Sequence, residues 1–275
     1  MVSRKFIGST PPSLVLLEII SEFVAIDRIK YIWDIGSCDG QDSLALSQAF
    51  PTARISSFEP NPDTFHLVKK VSEKSNGFIV AHNIALANFN GMGVFHKIDT
   101  IMTKTTHKNG NPGASSMFTA NGEYVIEDYV QLPVEVQFKS GHELISKSGF
   151  DVPNLLWMDV QGAEGVVLTG LGEYLGEIDF IYMELTLKKI YTGQTLAKDV
   201  LALIKRDFYW YQNLNLGFWQ FDGLFVNKKY KKLNLVLRHL MLRGSLNLNL
   251  GIGIKLEKLP IRTYLSRAVR KLYKI

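Results

Sequence analysis

The sequence predicts an α/β fold: a mostly parallel sheet with helices on both faces, an antiparallel hairpin at one edge and a basic helical extension at the C-terminus. Three observations carry this expectation. From Tyr31 to Pro62 the chain reads strand, glycine turn, helix, strand and then an acidic residue. Beyond that unit, short apolar runs alternate with segments of helical spacing as far as Asn227. Residues 228–275 then carry thirteen Lys and Arg against the single acid Glu257, whereas the rest of the chain has 18 basic against 25 acidic residues.

Each element follows from its local pattern. Ser13 to Arg28 has apolar residues at helical spacing, with Ser13 as its cap and Pro11 and Pro12 before it. Tyr31 to Ile35 is an apolar strand broken only by Asp34, and Asp42 to Phe50 is the helix after the turn. Arg54 to Phe58 returns as a strand ending in Glu59, Asp63 to Lys74 is a helix started by Asn61-Pro62, and Phe78 to His82 is a third strand. Val94 to Ile98 and Val134 to Phe138 are further strands. Between them, Thr100 to Glu123 is rich in Thr, Asn, Gly and Ser and too long for an ordinary connection; it reads as a substrate loop or lid, or as a disordered excursion. Leu155 to Met158 ends at Asp159, a helix follows from Glu164, and Phe180 to Met183 ends at Glu184. The helix Leu196 to Arg206 leads to Tyr209 to Asn213 and Phe221 to Asn227, which pair as the antiparallel edge. Strand ends in such a sheet share one crevice, which would gather Asp34, Glu59, Asp159 and Glu184.

The glycine turn separates two cofactor classes. A dinucleotide site uses G-x-G-x-x-G to bring backbone N–H groups against a pyrophosphate, whereas this turn is Asp34-x-Gly36-x-x-x-Gly40 with a second acid at Asp39. Two carboxylates repel a pyrophosphate but attract the sulfonium and ammonium groups of S-adenosylmethionine. Glu59, at the tip of the second strand, stands where a carboxylate accepts the two hydroxyls of a ribose. A strand-turn-helix without a ligand would show the same glycines, and Glu59 is the residue that argues against it.

Length and composition fit one large enzyme domain: 275 residues at 46% hydrophobic content bury a full core. The boundaries expected are a helical segment over residues 1–29, the main domain over 30–227 and the basic extension over 228–275. The apolar stretch after Pro12 is interrupted by Glu18 and Glu22, so no signal peptide is read. No run of about eighteen uncharged apolar residues exists, so no transmembrane helix is expected. A single cysteine, Cys38, excludes an internal disulfide, and a cytoplasmic location is the default. In the extension, LNLVLRHLMLR and IRTYLSRAVRKLYKI interleave apolar and basic residues at helical spacing. That is the pattern of a helix lying on an anionic membrane, or of a solvated helical cap; aromatics are sparse, and no nucleic acid is expected.

The segments YIWDIGSCDGQDSL, FEPNP, NIALANFNG, GASSM and LWMDVQGAEGVVLTGLGEYL, in this order between Lys30 and Val226, resemble the FkbM family of S-adenosylmethionine-dependent methyltransferases. The resemblance implies a class I methyltransferase (Rossmann-like) fold and O-methylation, often of sugar hydroxyls. It gives the cofactor the turn residues Asp34, Gly36, Ser37, Cys38, Asp39 and Gly40, with Glu59, Pro60 and Asn61 at the ribose corner. Asn83 and Ala85 would flank adenine. Asp159 and Glu164 match the D-x-E/Q-G-x-E signature facing the acceptor, and Gln161 stands where many relatives carry Glu, which keeps a hydrogen bond and removes a charge.

One departure from the family concerns the base. Relatives commonly show a strand ending in Leu-Asp before the helix that precedes the signature, whereas this chain reads VQFKSGHELI, with Gly141-His142 near that place. Methyl transfer to a hydroxyl needs an oxygen placed in line and its proton removed, and histidine suits that task at neutral pH. His142 is the candidate base, with Asp159 as runner-up or orienting partner; the alternative is that His142 only caps the following helix. Asp159, Glu164 and Glu184 supply oxygen ligands of the kind Mg²⁺ takes, yet such clusters equally bind backbone amides or substrate, and no metal is expected. Cys38 sits among acids that raise a thiol pKa, which favours packing over reactivity. Trp157 and Trp210 read as core residues, and Tyr191 and Trp219 as core residues or as sugar-stacking partners.

Two function classes follow. The first is a methyltransferase acting on a sugar hydroxyl of a polysaccharide, glycolipid precursor or glycosylated metabolite, held at the membrane by its tail. The second is a non-catalytic S-adenosylmethionine-binding partner in a glycan assembly complex, in which the altered Leu-Asp position marks lost chemistry.

Overall fold

The computed structural model describes residues 11–216 and 219–230. Its centre is a seven-stranded sheet made from β1 (Tyr31–Ile35), β2 (Arg54–Phe58), β3 (Ile79–His82), β7 (Leu155–Met158), β8 (Phe180–Thr186), β9 (Phe208–Leu216) and β10 (Gln220–Asn227). The order across the sheet is β3-β2-β1-β7-β8-β10-β9. All pairs are parallel except those of β10, which runs antiparallel to both β8 and β9 and forms the expected edge hairpin.

The strands form where β-branched and aromatic residues can bury on both faces. In β1, Ile32 faces a cluster with Leu16, Ile20, Leu46 and Phe50, while Trp33 faces the opposite cluster with Phe58, Leu144, Val167 and Leu171. The first cluster is covered by α1 (Pro12–Ser21) and α2 (Gln41–Ala49), and the second by α4 (Gly141–Ser148), α5 (Glu164–Gly170) and α6 (Ala197–Ile204). Helix α3 (Pro62–Glu73) begins where expected: Pro62 is its first residue and the Asn61 side chain accepts from Asp63 N–H at 3.0 Å.

Three helix expectations are corrected. The first helix ends at Ser21 rather than Arg28, and its cap is Pro11, so Ser13 lies inside it. The chain then turns so that Phe23 packs on Phe180, Tyr211 and Tyr230, which a continuing helix would prevent. Helix α4 is capped by Ser140, whose hydroxyl accepts from Glu143 N–H at 3.1 Å; His142 does not cap it.

A second sheet, in the order β4-β6-β5, joins β4 (Ala85–Ala87), β5 (Gly91–Ile98) and β6 (Gln131–Ser140). Its buried face carries Ala85, Ala87, Phe95, Val136 and Phe138. The connection between β5 and β6 is ordered by its own hydrogen bonds. Asp99 N–H donates to Val130 O at 2.8 Å, Lys104 and Asp128 exchange both backbone bonds at 3.0 Å, and His96 and Ser116 form a bridge. The Glu127 carboxylate lies inside this connection and accepts from Asn111 Nδ2 at 2.8 Å, from the Tyr129 hydroxyl at 2.6 Å and from the Thr105 hydroxyl.

Among the described residues no helix is long and apolar enough to cross a membrane. The basic segment expected over 228–275 lies outside the described residues from Lys231 onward. Its first residues pack on the body: Tyr230 stacks on Phe180 with ring centroids 5.5 Å apart, and Lys229 Nζ lies 2.5 Å from Asp179 Oδ1.

Candidate active site

The sheet reverses its winding between β1 and β7, and ligands of open α/β sheets bind outside the carboxyl ends of the strands at such a switch point. Here the register pairs Ile35 with Met158, so the chain leaves both strands side by side, into Gly36 on one and Asp159 on the other. Asp159 N–H donates to Ile35 O at 3.0 Å. A pocket opens at this place, about 540 Å³ counting its open mouth. Gly36, Cys38, Glu59, Pro60, Ala85 and Asp159 line it, and Ile84, Leu86, Phe95, Phe138 and Met117 supply apolar walls.

The turn is built for backbone proximity. Gly36 and Gly40 have φ of 86° and 78°, and Gly40 starts α2 in the left-handed region. Cys38 shares that conformation with φ 51°, which sends its N–H to Glu59 Oε2 at 2.7 Å. The other Glu59 oxygen accepts from Asn61 N–H at 2.8 Å. Burial pushes the Glu59 carboxyl up to about 7, partly offset by the N–H groups of Asn61 and Cys38. Burial likewise pushes the Cys38 thiol up, reinforced by Glu59, Asp39 and Asp159, so it is an unreactive wall group.

The sequence-predicted residues divide into wall and support. Asp34 does not line the pocket. It is 1% exposed and accepts from Ser43 Oγ at 2.5 Å in a serine network with Ser57 and Ser37 beneath the turn. Asp39 Oδ1 accepts from Gln41 N–H at 3.1 Å at the start of α2. Asn61 caps α3, and Asn83 Nδ2 donates to Glu59 O at 2.8 Å and Pro60 O at 3.2 Å, tying the corner rather than lining the pocket. Glu164 is buried in the first turn of α5, where one carboxylate oxygen accepts from Gly162 N–H at 3.2 Å and the other has no hydrogen-bond partner among the described residues. Burial and the nearby Asp159 charge push it up to about 7.

His142 lies elsewhere. Its ring sits on the outer side of α4, 43% exposed, with Nε2 3.3 Å from Glu173 Oε1 and Tyr174 alongside. The candidate base that the pocket contains is Asp159, whose Oδ1 accepts from Gln161 Nε2 at 2.6 Å. Glu184 approaches the same amide at 3.3 Å and accepts from Gln220 Nε2 at 2.8 Å. No group of three or more His, Cys, Asp or Glu suited to a metal ion occurs among the described residues.

The roof of the pocket comes from the segment expected as a substrate loop or lid and from two of the expected strands. Pro112, Gly113, Ser115 and Met117 come from the long connection, and Phe95 and Phe138 from the small sheet. The quoted GASSM segment was the available signal. Ser115 Oγ accepts from Ile98 N–H at 3.0 Å, and Ser116 Oγ donates to Gln161 O at 2.8 Å, so these serines fasten the roof. Trp157 and Trp210 are core residues, and Tyr191, 1% exposed, is too buried to stack on a sugar. Tyr124 and Trp219 are partly exposed and in edge contact at 5.3 Å, with Lys188 Nζ 4.9 Å from the Trp219 ring.

These features fit S-adenosylmethionine: a buried carboxylate at the ribose position, apolar walls beyond it, and an acid beside the glycine turn where a cationic group gains from charge. A family model described as the methyltransferase FkbM domain matches residues 34–215. The chain is 28% identical over 174 residues to the 2-O-methyltransferase NoeI of Sinorhizobium fredii, covering 63% of this chain and 70% of that protein. It is 26% identical over 154 residues to the hexuronic acid methyltransferase AglP of Haloferax volcanii, covering 56% of this chain and 55% of that one. Among solved structures it is similar to the FkbM methyltransferase of Methylobacillus flagellatus, with 12% identity, a TM-score of 0.43, and coverage of 72% of this chain and 43% of that chain. The chain thus spans about half the length of AglP. With the family model matching well over half of its residues, the chain belongs to the FkbM methyltransferase family and is an S-adenosylmethionine-dependent methyltransferase.

Proposed function

We propose that this protein methylates a sugar hydroxyl, in a polysaccharide, a glycolipid precursor or a glycosylated metabolite, with Asp159 as the proton acceptor. The observation that carries the reading is the position of Asp159: it lies in the pocket wall beside Gly36, is held by Gln161, and faces the roof formed by the long connection. One relative is named a 2-O-methyltransferase and another a hexuronic acid methyltransferase, which supports a hydroxyl-bearing acceptor of the sugar class.

Bound S-adenosylmethionine supplies a sulfonium methyl group, and its sulfur keeps the electron pair when the acceptor oxygen takes the methyl. Glu59 would hold the ribose hydroxyls, while Ala85, Leu86 and Phe95 would border the adenine. Asp159 removes the hydroxyl proton as the oxygen–carbon bond forms, a role worth about 10²- to 10⁴-fold in rate. The apolar roof residues Met117, Phe95 and Phe138 exclude water from the pocket. The partly exposed pair Tyr124 and Trp219, with Lys188 beside it, would offer a sugar ring an aromatic face. Residues 231–275 would hold the enzyme on the cytoplasmic face of an anionic membrane, beside a lipid-linked acceptor. Mass spectrometry of glycans from cells with and without the gene tests the reading: loss of a methyl ether on one sugar supports it, and an unchanged glycan profile counts against it.

A further inference from the structure

Gln161 has a left-handed backbone, φ 52°, directly before Gly162 with φ 95°. A non-glycine residue holds that conformation at a cost of about 1–2 kcal/mol, so its surroundings must over-determine it. Each polar atom of the Gln161 side chain has a partner. Nε2 donates to Asp159 Oδ1 at 2.6 Å and lies 3.3 Å from Glu184 Oε2, and Oε1 accepts from the Tyr191 hydroxyl at 3.1 Å. The Gln161 carbonyl accepts from Ser116 Oγ at 2.8 Å. Tyr191 shares its proton with the Ala114 carbonyl at 2.8 Å.

The orientation of the amide follows from donor counting. Ionised carboxylates only accept, so Gln161 can face Asp159 and Glu184 only through its NH₂ group, which turns Oε1 toward Tyr191. A flipped amide would set an oxygen against two carboxylates. Burial, with the Asp159 and Glu184 charges, pushes the Tyr191 hydroxyl well above the ordinary range, so it stays protonated and donates to Oε1 in the orientation that the carboxylates set. The tyrosine is fixed in turn. Gln194 Oε1 accepts from its backbone N–H at 2.8 Å, and its ring stacks on Tyr129 at 6.1 Å with the planes 13° apart.

We propose that Tyr191 is a positioning residue for methyl transfer: its hydroxyl fixes the Gln161 amide, and the amide aims the Asp159 carboxylate. The inference rests on Asp159 as the proton acceptor. Ala114, Ser116 and Tyr129 all belong to the long connection, so the packing of that connection and the aim of Asp159 are coupled.

The test uses the full chain with ¹⁵N-labelled glutamine, saturated with S-adenosylhomocysteine, and the Gln161 side-chain amide assigned by its loss in Gln161→Met. In the native protein this amide is expected downfield and slow to exchange. In Tyr191→Phe, which keeps the ring and its stack on Tyr129, it is expected to move upfield toward the position of a solvated glutamine and to exchange faster. An unchanged Gln161 signal in Tyr191→Phe overturns the inference. A second arm follows transfer of label from S-[methyl-³H]adenosylmethionine to a pooled panel of hexoses, hexuronic acids and oligosaccharides. Tyr191→Phe is expected to lower kcat about tenfold with S-adenosylhomocysteine affinity unchanged, and to cause no further loss in the Gln161→Met background. Independent, multiplying losses overturn the inference. Full transfer by Asp159→Asn would instead overturn the base assignment, with the amide signal still reporting on Tyr191.

Discussion

A methyl group on Gly36 would sit 2.0 Å from the carbonyl oxygen of Asp159. The turn after β1 and the main chain of Asp159 after β7 therefore meet backbone to backbone across the switch point. Gly36→Ala meets that clash and a positive φ together. It should lower stability by more than about 2 kcal/mol and abolish S-adenosylhomocysteine binding, measured by thermal unfolding and calorimetry. Native affinity in this variant would mean the turn shifts without disturbing the pocket.

Glu59 gives a pH dependence to cofactor binding. Its carboxyl is raised to about 7 by burial, and ribose hydroxyls donate best to the ionised form. Affinity for S-adenosylhomocysteine should therefore rise from about pH 6 to about pH 8, with proton release on binding. Calorimetry in buffers of different ionisation enthalpy reads both, and Glu59→Ala should bind at least about tenfold more weakly at every pH.

Glu164 contributes to stability with a definite sign. A carboxyl raised to about 7 in the fold binds its proton more tightly there than in the unfolded chain. Its contribution is full below the unfolded value and is lost as pH rises through about 7. Glu164→Gln keeps the shape and removes the titration, so its Tm should exceed that of the native protein by a few degrees at about pH 8 and converge with it near pH 5. An equal Tm difference at both pH values would show that the carboxyl does not titrate between them.

Much of the sheet was legible, because β1 and β7 are short apolar runs and β1, β2 and β7 are followed by Gly36, Glu59 and Asp159. The hairpin β9–β10 was legible for the same reason. Strand β4 was not: three residues, Ala85–Ala87, carry no periodicity, and their parallel partner β6 lies far along the chain. The wall of the site was legible at Glu59 and Asp159, which end strands. The direction of a side chain at a helix start was not. His142 and Ser140 are neighbours in sequence, yet one caps the helix and the other turns outward to Glu173. Asp34, which its place in the glycine motif assigned to the cofactor, turns within β1 to Ser43 beneath the turn, a direction the motif does not carry.

The basic extension sets a separate expectation. Tyr230 and Lys229 pack on Phe180 and Asp179, and truncation after Tyr230 keeps both contacts. Removing residues 231–275 should release the protein from vesicles containing phosphatidylserine and leave S-adenosylhomocysteine affinity unchanged. Binding of the full chain to these vesicles should weaken as salt rises. Salt-insensitive binding would contradict an electrostatic attachment.

The most direct test of the site compares label transfer from S-[methyl-³H]adenosylmethionine to the sugar panel by the native protein, Asp159→Asn and His142→Asn. Label is expected in a base-stable ether with the native protein and with His142→Asn at a similar rate, and transfer should fall about 10²- to 10⁴-fold in Asp159→Asn with cofactor affinity retained. Native-rate transfer by Asp159→Asn, or its loss in His142→Asn, would contradict the assignment of Asp159 as the base.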